Sequence, residues 1–236
     1  MNTYQPNIPL EDIRKLCTRL DYSEALLVEA TPEMVKSACR DALRLKYAAV
    51  PVFPSYISLV AEILAGTDIA PQCVVGFPSG AETTAVKAAI AEQGLKDGAR
   101  EFDMVINVGR LLAKDYDYVI RDVRAVSEIA HDAGITVKGI IETGFLSDSD
   151  KLAAVECLVE AGADFVKTCT GFAPGRATVH DIRLLTAAAA GRIKVKASGS
   201  VTTIEDGLTM MTNGADRVAG RGPITRQLAS MGINEL

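Results

Sequence analysis

Three lysines recur at equal intervals inside otherwise apolar, β-branched segments. They are Lys138 in TVKGIIET, Lys167 in ADFVKT and Lys196 in IKVKAS, 29 residues apart each time, a spacing that predicts comparable levels on three successive strands. Asp103 sits in a fourth such segment, REFDMVIN. Burying an unpaired ammonium group is expensive, so a lysine in a core segment needs a reason. Nucleophilic chemistry supplies one. An amine attacks a carbonyl only when uncharged, and the ordinary lysine pKa of about 10.4 leaves too little free base near pH 7. Burial and a neighbouring cation both disfavour the ammonium form. A pair such as Lys167 and Lys196 is the arrangement expected of an imine-forming lysine activated by a second cation. Asp103, or a water it orients, would move protons to and from the carbon beside the imine. The bland alternative for each lysine is a side chain snorkelling outward between helices, or a structural ion pair. For Lys167, Lys196 and Asp103 together, that reading needs three separate coincidences. Lys138 has a candidate partner in Glu142, four residues on along the same strand face. Lys194 shares the face of Lys196 one layer deeper and receives no role.

Residues so far apart in sequence meet only if a scaffold brings them together. Short β-branched runs alternate with longer helical stretches along the whole chain. After a short leading helix around LEDIRKLCTRL, the strand candidates are LDYS, YAAVPVF, QCVVGF, REFDMVIN, TVKGIIET, ADFVKT, IKVKAS and DRVAG. Helices such as TPEMVKSACRDALRLK, with Thr31 as N-cap and Pro32 at the first turn, fill the intervals. A recurring Gly-Ala before a strand (Gly98-Ala99, Gly162-Ala163, Gly214-Ala215) marks helix ends returning to the sheet. Apolar strands separated by helices imply a parallel sheet covered on its outside. Eight such units in 236 residues predict one α/β domain over residues 1–236, a (β/α)8 TIM barrel with a short N-terminal helix. A doubly wound sheet would carry a G-x-G-x-x-G turn after an early strand, and the sequence has none. In a barrel, chemistry gathers where strands end. The turns ASGSVTT (197–203) and VAGRGPI (218–224) follow the seventh and eighth strands, where barrels often hold phosphate. Arg221 could add a bidentate contact, while plain turn chemistry is the alternative for either loop.

Composition narrows the partners. A net charge of −5 argues against nucleic acid. Five widely spaced cysteines, without any C-x-x-C pair, indicate neither a disulfide framework nor a zinc site. No apolar run reaches membrane-spanning length and the N-terminus lacks a signal pattern. A cytoplasmic, reduced enzyme or binding domain fits these features. His131 and His180 fall in helical or loop segments and read as surface residues.

The segments VVGFPSGAETTAVK, EFDMVINVG, KGIIETGFL, AGADFVKTCTGF and VKASGS resemble, in order, the motifs of the deoxyribose-phosphate aldolase family. The likeness runs from about residue 73 to 200, and more loosely to both ends. It implies a class I aldolase on a (β/α)8 barrel, without metal or cofactor. Such an enzyme cleaves 2-deoxy-D-ribose 5-phosphate to acetaldehyde and D-glyceraldehyde 3-phosphate in deoxyribonucleotide catabolism. By the same resemblance Lys167 matches the Schiff-base lysine, Lys196 the second lysine and Asp103 the proton-relay acid. Asp21, Lys138 and Thr170 match polar residues placed around the substrate. The departures concern recognition. Ser198-Gly199-Ser200 stands where the family usually has Ser-Gly-Gly, and AGRG replaces its usual turn after the eighth strand. Pro51 and Phe53 stand where a cysteine and an asparagine are common, and DYSEALLVEA replaces DHTLLKP.

The expectation is therefore a lyase with Lys167, Lys196 and Asp103 as catalytic residues. Asp21, Lys138, Thr170, Gly199, Ser200, Gly220 and Arg221 are expected around a small-molecule sugar phosphate. Neither nucleic acid nor a membrane is expected as partner. A homodimer is the assembly such barrels commonly adopt, although no patch in the sequence argues for one. Three alternatives remain open: an aldolase for a related phosphorylated or acidic sugar, a non-catalytic sugar-phosphate-binding barrel, and an isomerase using Glu142 as acid or base.

Overall fold

The computed structural model describes residues 8–236. Eight parallel strands close into a barrel in sequence order: β1 (Leu20–Tyr22), β2 (Ala49–Val52), β3 (Ala70–Val75), β4 (Glu101–Val105), β5 (Thr136–Ile140), β6 (Phe165–Lys167), β7 (Lys194–Ala197) and β8 (Arg217–Gly220). β8 pairs with β1 through Leu20–Val218, Asp21–Ala219 and Tyr22–Gly220, which completes the ring. Seven strands lie within predicted segments, and β3 starts at Ala70, two residues before QCVVGF. The (β/α)8 fold and the leading helix, Leu10–Cys17, are as expected.

Local chemistry explains the element ends. The Thr31 side chain accepts from the Met34 N–H at the start of the helix Pro32–Leu45. Ser147 and Thr203 each open a helix with a reciprocal capping box, through Asp150 and Asp206. Gly98, Gly162 and Gly214 adopt φ of +93°, +79° and +114°, the left-handed conformation a chain needs to leave a helix and enter a strand.

Strand parity divides the barrel into two chemistries. Residues that pair across parallel strands point to the same side. Phe102, Met104, Val137, Val166, Val195 and Val218 join the fully buried apolar cluster shared with the helices. There the helix Asp148–Glu160 comes so close that a Cβ on Gly139 would lie 2.2 Å from Leu158 Cδ2. The alternate positions line the inside. Asp103 pairs with Lys138, Lys138 with Phe165, and Phe165 with Lys194. One layer higher, Ile140 pairs with Lys167, Lys167 with Lys196, and Lys196 with Arg217.

This register corrects the expectation of three lysines at one level. Lys167 and Lys196 are side by side, but Lys138 is opposite Phe165, one inward layer below them. Equal sequence spacing does not give equal height, because a closing barrel staggers its strands. The register between β5 and β6 advances two residues less than that between β6 and β7. Lys194 shares the register layer of Lys138, at the exposed start of β7, with its Nζ 5.4 Å from the centre of the Phe165 ring.

Candidate active site

A cavity of about 410 Å3 opens at the C-terminal mouth of the barrel. The Lys167 side chain, only 3% exposed, reaches it from the end of β6. Thr170, Gly199, Ser200, Gly220 and Arg221 line it, as do Ser23, Glu24 and Arg176. Gly199 and Ser200 both have positive φ, +99° and +60°. A Cβ on Gly199 would meet the Arg176 backbone at 3.1 Å, so this turn is tightly fitted against the loop after β6. Thr168 ties the ends of β6 and β7 together, donating to the Ser198 carbonyl (2.7 Å) and accepting from the Ser198 N–H (2.9 Å).

Beneath the cavity floor lies a closed circuit of alternating charges. Asp103 Oδ2 accepts from Lys167 Nζ at 2.5 Å and from Lys196 Nζ at 2.7 Å. Lys196 also pairs with Asp21, and Asp21 with Arg217. Arg217 contacts Glu101 at 3.1 Å, Glu101 pairs with Lys138, and Lys138 returns to Asp103 Oδ1 at 3.5 Å. Six groups, three anions and three cations, make the circuit neutral. Lys167 hangs from it as a seventh and surplus cation.

The acidities follow from this arrangement. Burial opposes ionisation of Asp103, but Lys167, Lys196 and Lys138 outweigh it and hold the carboxyl well below the ordinary range. Asp21 is likewise held low: burial opposes its charge, and Arg217, Lys196 and Lys138 overcome that. Burial also works against the Lys138 ammonium, yet Glu101, Asp103 and Asp21 leave its pKa raised. Lys196 goes the other way. Burial pushes it down to about 8; the carboxylates of Asp103 and Asp21 resist, and the cations of Lys167 and Lys138 add to the fall. The cluster therefore contains an amine able to give up or take a proton near neutrality, joined to Lys167 through one carboxylate oxygen.

Lys167, Lys196 and Asp103 are thus brought together. Thr170, Gly199, Ser200, Gly220 and Arg221 share the cavity with Lys167. Asp21 and Lys138, expected around the substrate, are instead fully buried members of the circuit below the floor. They are inward-facing residues of β1 and β5, held in the circuit by ion pairs of Asp21 with Lys196 and Arg217 and of Lys138 with Glu101. Glu142, the expected partner of Lys138, is not bonded to it. Its Oε2 accepts from the Thr170 N–H (3.0 Å) and hydroxyl (2.5 Å). The chain turns away from β5 at Glu142, whose φ of +54° breaks the alternation that would have aligned the two side chains.

Glu101 and Arg217 were missed by sequence reasoning that considered only late strand positions. The period of two would have found Glu101, which shares the inward face of Asp103. His131 and His180 are exposed on helices, each beside an aspartate. One group among the described residues has metal-binding spacing: Asp148, His180 and Asp181. It lies outside the cavity, and the Lys151 amine already contacts both of its carboxylates, at 3.1 and 2.7 Å.

Comparison with known proteins agrees with this geometry. Residues 10–225 match the profile of the DeoC/LacD family aldolases. The chain is 45% identical over 204 residues to the deoxyribose-phosphate aldolase of Lactiplantibacillus plantarum, covering 86% of this chain and 94% of that one. It is 45% identical over 191 residues to the deoxyribose-phosphate aldolase of Thermococcus gammatolerans, covering 80% and 85%. Among solved structures, an aldolase named QR15 superposes with a TM-score of 0.85 at 32% identity, covering 92% of this chain and 97% of that one. The tetrameric deoxyribose phosphate aldolase of Aeropyrum pernix superposes with a TM-score of 0.82 at 26% identity, covering 95% and 99%. With a matched profile across nearly its whole length and an amine pair bridged by one carboxylate, the chain belongs to the DeoC/LacD family of aldolases.

Proposed function

We propose that this protein is a deoxyribose-phosphate aldolase, cleaving 2-deoxy-D-ribose 5-phosphate to acetaldehyde and D-glyceraldehyde 3-phosphate through a Schiff base on Lys167. The observation that carries this reading is the shared Asp103 Oδ2, which bonds at once to the amine in the cavity and to the amine with the lowered pKa. A proton leaving Lys167 can pass along Asp103 to an uncharged Lys196. Lys167 then attacks the aldehyde carbon, and loss of water gives a protonated imine. That imine draws in the electrons of the C2–C3 bond as it breaks, leaving an enamine on Lys167 and releasing glyceraldehyde 3-phosphate. Protonation of the enamine carbon and hydrolysis release acetaldehyde and return the amine. Asp103 and Lys196 are the groups placed to supply that proton.

The phosphate end belongs to the side of the cavity formed after β7 and β8. Its donors are the Gly199–Ser200 turn and the guanidinium groups of Arg176 and Arg221. The helix Gly222–Ser230 also points its N-terminus there, but the Glu24 carboxylate accepts the Gly222 N–H at 2.8 Å. Glu24 thus occupies the donor that a phosphate would otherwise find at that helix, and the arginines compensate for the negative charge it brings. A single barrel domain is part of the same reading; of its expected span, 1–236, residues 1–7 lie outside the described residues. Among the described residues no helix is long and apolar enough to cross a membrane.

The test is reductive trapping. Borohydride added with deoxyribose 5-phosphate or acetaldehyde should leave a covalent mass adduct on the peptide containing Lys167. A non-catalytic sugar-phosphate-binding barrel, or an isomerase working by acid–base chemistry alone, gives no adduct.

A further inference from the structure

The imine chemistry accounts for one of the two protons that an aldol cleavage must move. The other leaves the hydroxyl on C3 as that carbon becomes an aldehyde. Asp103 and Lys196 belong to the buried circuit beneath the cavity floor, where Asp103 bonds to both amines. Thr170, by contrast, is on its wall, beside Lys167.

Glu142 is 2% exposed and stands behind Thr170. The hydrogen-bond directions between them are fixed. The Thr170 N–H must donate, so Glu142 Oε2 is an acceptor at 3.0 Å, and it also takes the Thr170 hydroxyl proton at 2.5 Å. Thr170 Oγ1 in turn accepts the Phe172 N–H at 3.1 Å. A hydroxyl has one proton and two lone pairs. Its proton is committed to Glu142 and one lone pair to Phe172, so the remaining lone pair can only accept, and it is available to the cavity.

Two further features set Glu142 apart. Its Oε1 is buried without a hydrogen-bond partner. Its backbone is left-handed, at φ +54° and ψ +66°, which is costly for a residue with a side chain and tends to persist where function holds it. The residue also borders a second cavity of about 360 Å3, walled by Val105, Val108, Phe145 and Phe172. Thr170 and Ala173 line both cavities.

We propose that Thr170 and Glu142 form the base that removes the C3 hydroxyl proton, separate from the Asp103–Lys196 pair that serves the imine. The inference rests on the aldolase reading. In the cleavage direction the substrate hydroxyl donates to Thr170 Oγ1 as Thr170 passes its own proton to Glu142 Oε2. The C3–O bond becomes a carbonyl, the C2–C3 bond breaks, and its electron pair neutralises the imine nitrogen as the enamine forms. One proton has moved from substrate to Glu142. In the synthetic direction the same proton returns to the new alkoxide. Glu142 returns the proton to solvent between turnovers through the second cavity that it borders.

The experiment separates the two halves of the reaction. Exchange of the acetaldehyde methyl hydrogens in D2O, and borohydride trapping of acetaldehyde on Lys167, require the imine and the enamine but no hydroxyl proton. In E142Q the amide can still accept from Thr170 but cannot take its proton. Its kcat for deoxyribose 5-phosphate cleavage is expected to fall about 100-fold, the lower range for loss of a general base, with KM little changed. Exchange and trapping should stay at the parent rate. T170V should behave like E142Q, and T170S, which keeps the hydroxyl, should retain most of the cleavage rate. Because T170V leaves Glu142 in place, it also serves if E142Q does not fold. Cleavage at the parent rate in either E142Q or T170V overturns the proposal, and so does a T170S variant as impaired as T170V. A parallel loss of exchange and trapping in E142Q and T170V overturns it too, by reducing the pair to a structural support. Absence of trapping in the parent protein would instead sink the aldolase reading itself.

Discussion

The inside of the barrel and the layer around it are built from the same eight strands and obey opposite rules. Outward positions such as Phe102, Val137, Val166 and Val195 are apolar and close-fitted against the helices. Inward positions hold Asp21, Glu101, Asp103, Lys138, Lys167, Lys196 and Arg217, seven ionisable groups sealed from most solvent. Burying apolar surface stabilises a fold. Burying ion pairs often adds nothing over an apolar replacement. The outer layer therefore holds the barrel closed, and the inner one draws on that stability to keep an amine near its proton-transfer point.

The sharpest break in this contrast is K167L. It should abolish cleavage and borohydride trapping. Because the six remaining groups form a neutral circuit without Lys167, its thermal midpoint should stay level or rise. A fall would mean that the surplus cation is part of what holds the barrel together. K196L comes next. Turnover at pH 7 should drop by about 100-fold, as for a lost acid–base group. An unchanged rate would remove Lys196 from the mechanism.

The outer layer should answer in the reverse sense. Leu158 fills the space over Gly139, and L158A should cost about 2–5 kcal/mol of stability in denaturant unfolding. The kcat per folded molecule should remain that of the parent. A large loss of kcat there would show that the two layers are not separable.

The smallest effect is the pH response. With Lys196 at about 8, its neutral fraction grows about five-fold between pH 7 and 8 and levels off above that. Single-turnover trapping rates should follow this curve. R217M removes the guanidinium that balances Asp21, which strengthens the hold of Asp21 on the Lys196 ammonium, so the rising limb should move to higher pH. The stability sign is also defined. The unfolded lysine, near 10.5, binds more protons than the folded one between about pH 8 and 10.5, so the contribution of Lys196 to stability rises with pH over that window and is flat below it.

Much of this protein was legible in the chain. The alternation of β-branched runs with capped helices and Gly-Ala returns is a local signal, and it located all eight strands. Lys167, Lys196 and Asp103 stood out because charged residues in apolar strands conflict with burial, a conflict visible without coordinates. Glu101 and Arg217 were hidden because each sits at the start of a strand, where a charge looks like ordinary solvent exposure. Whether three evenly spaced lysines share a level could not be read either. Spacing counts residues along the chain, whereas height in a barrel depends on the stagger by which the ring closes. That stagger set Lys138 below Lys167, and the turn at Glu142 gave its carboxylate to Thr170 rather than to Lys138. Local propensities fix which residues form strands and which faces they present. Only closure of the sheet decides which of those faces meet across its centre, because that contact is made between residues with no proximity along the chain.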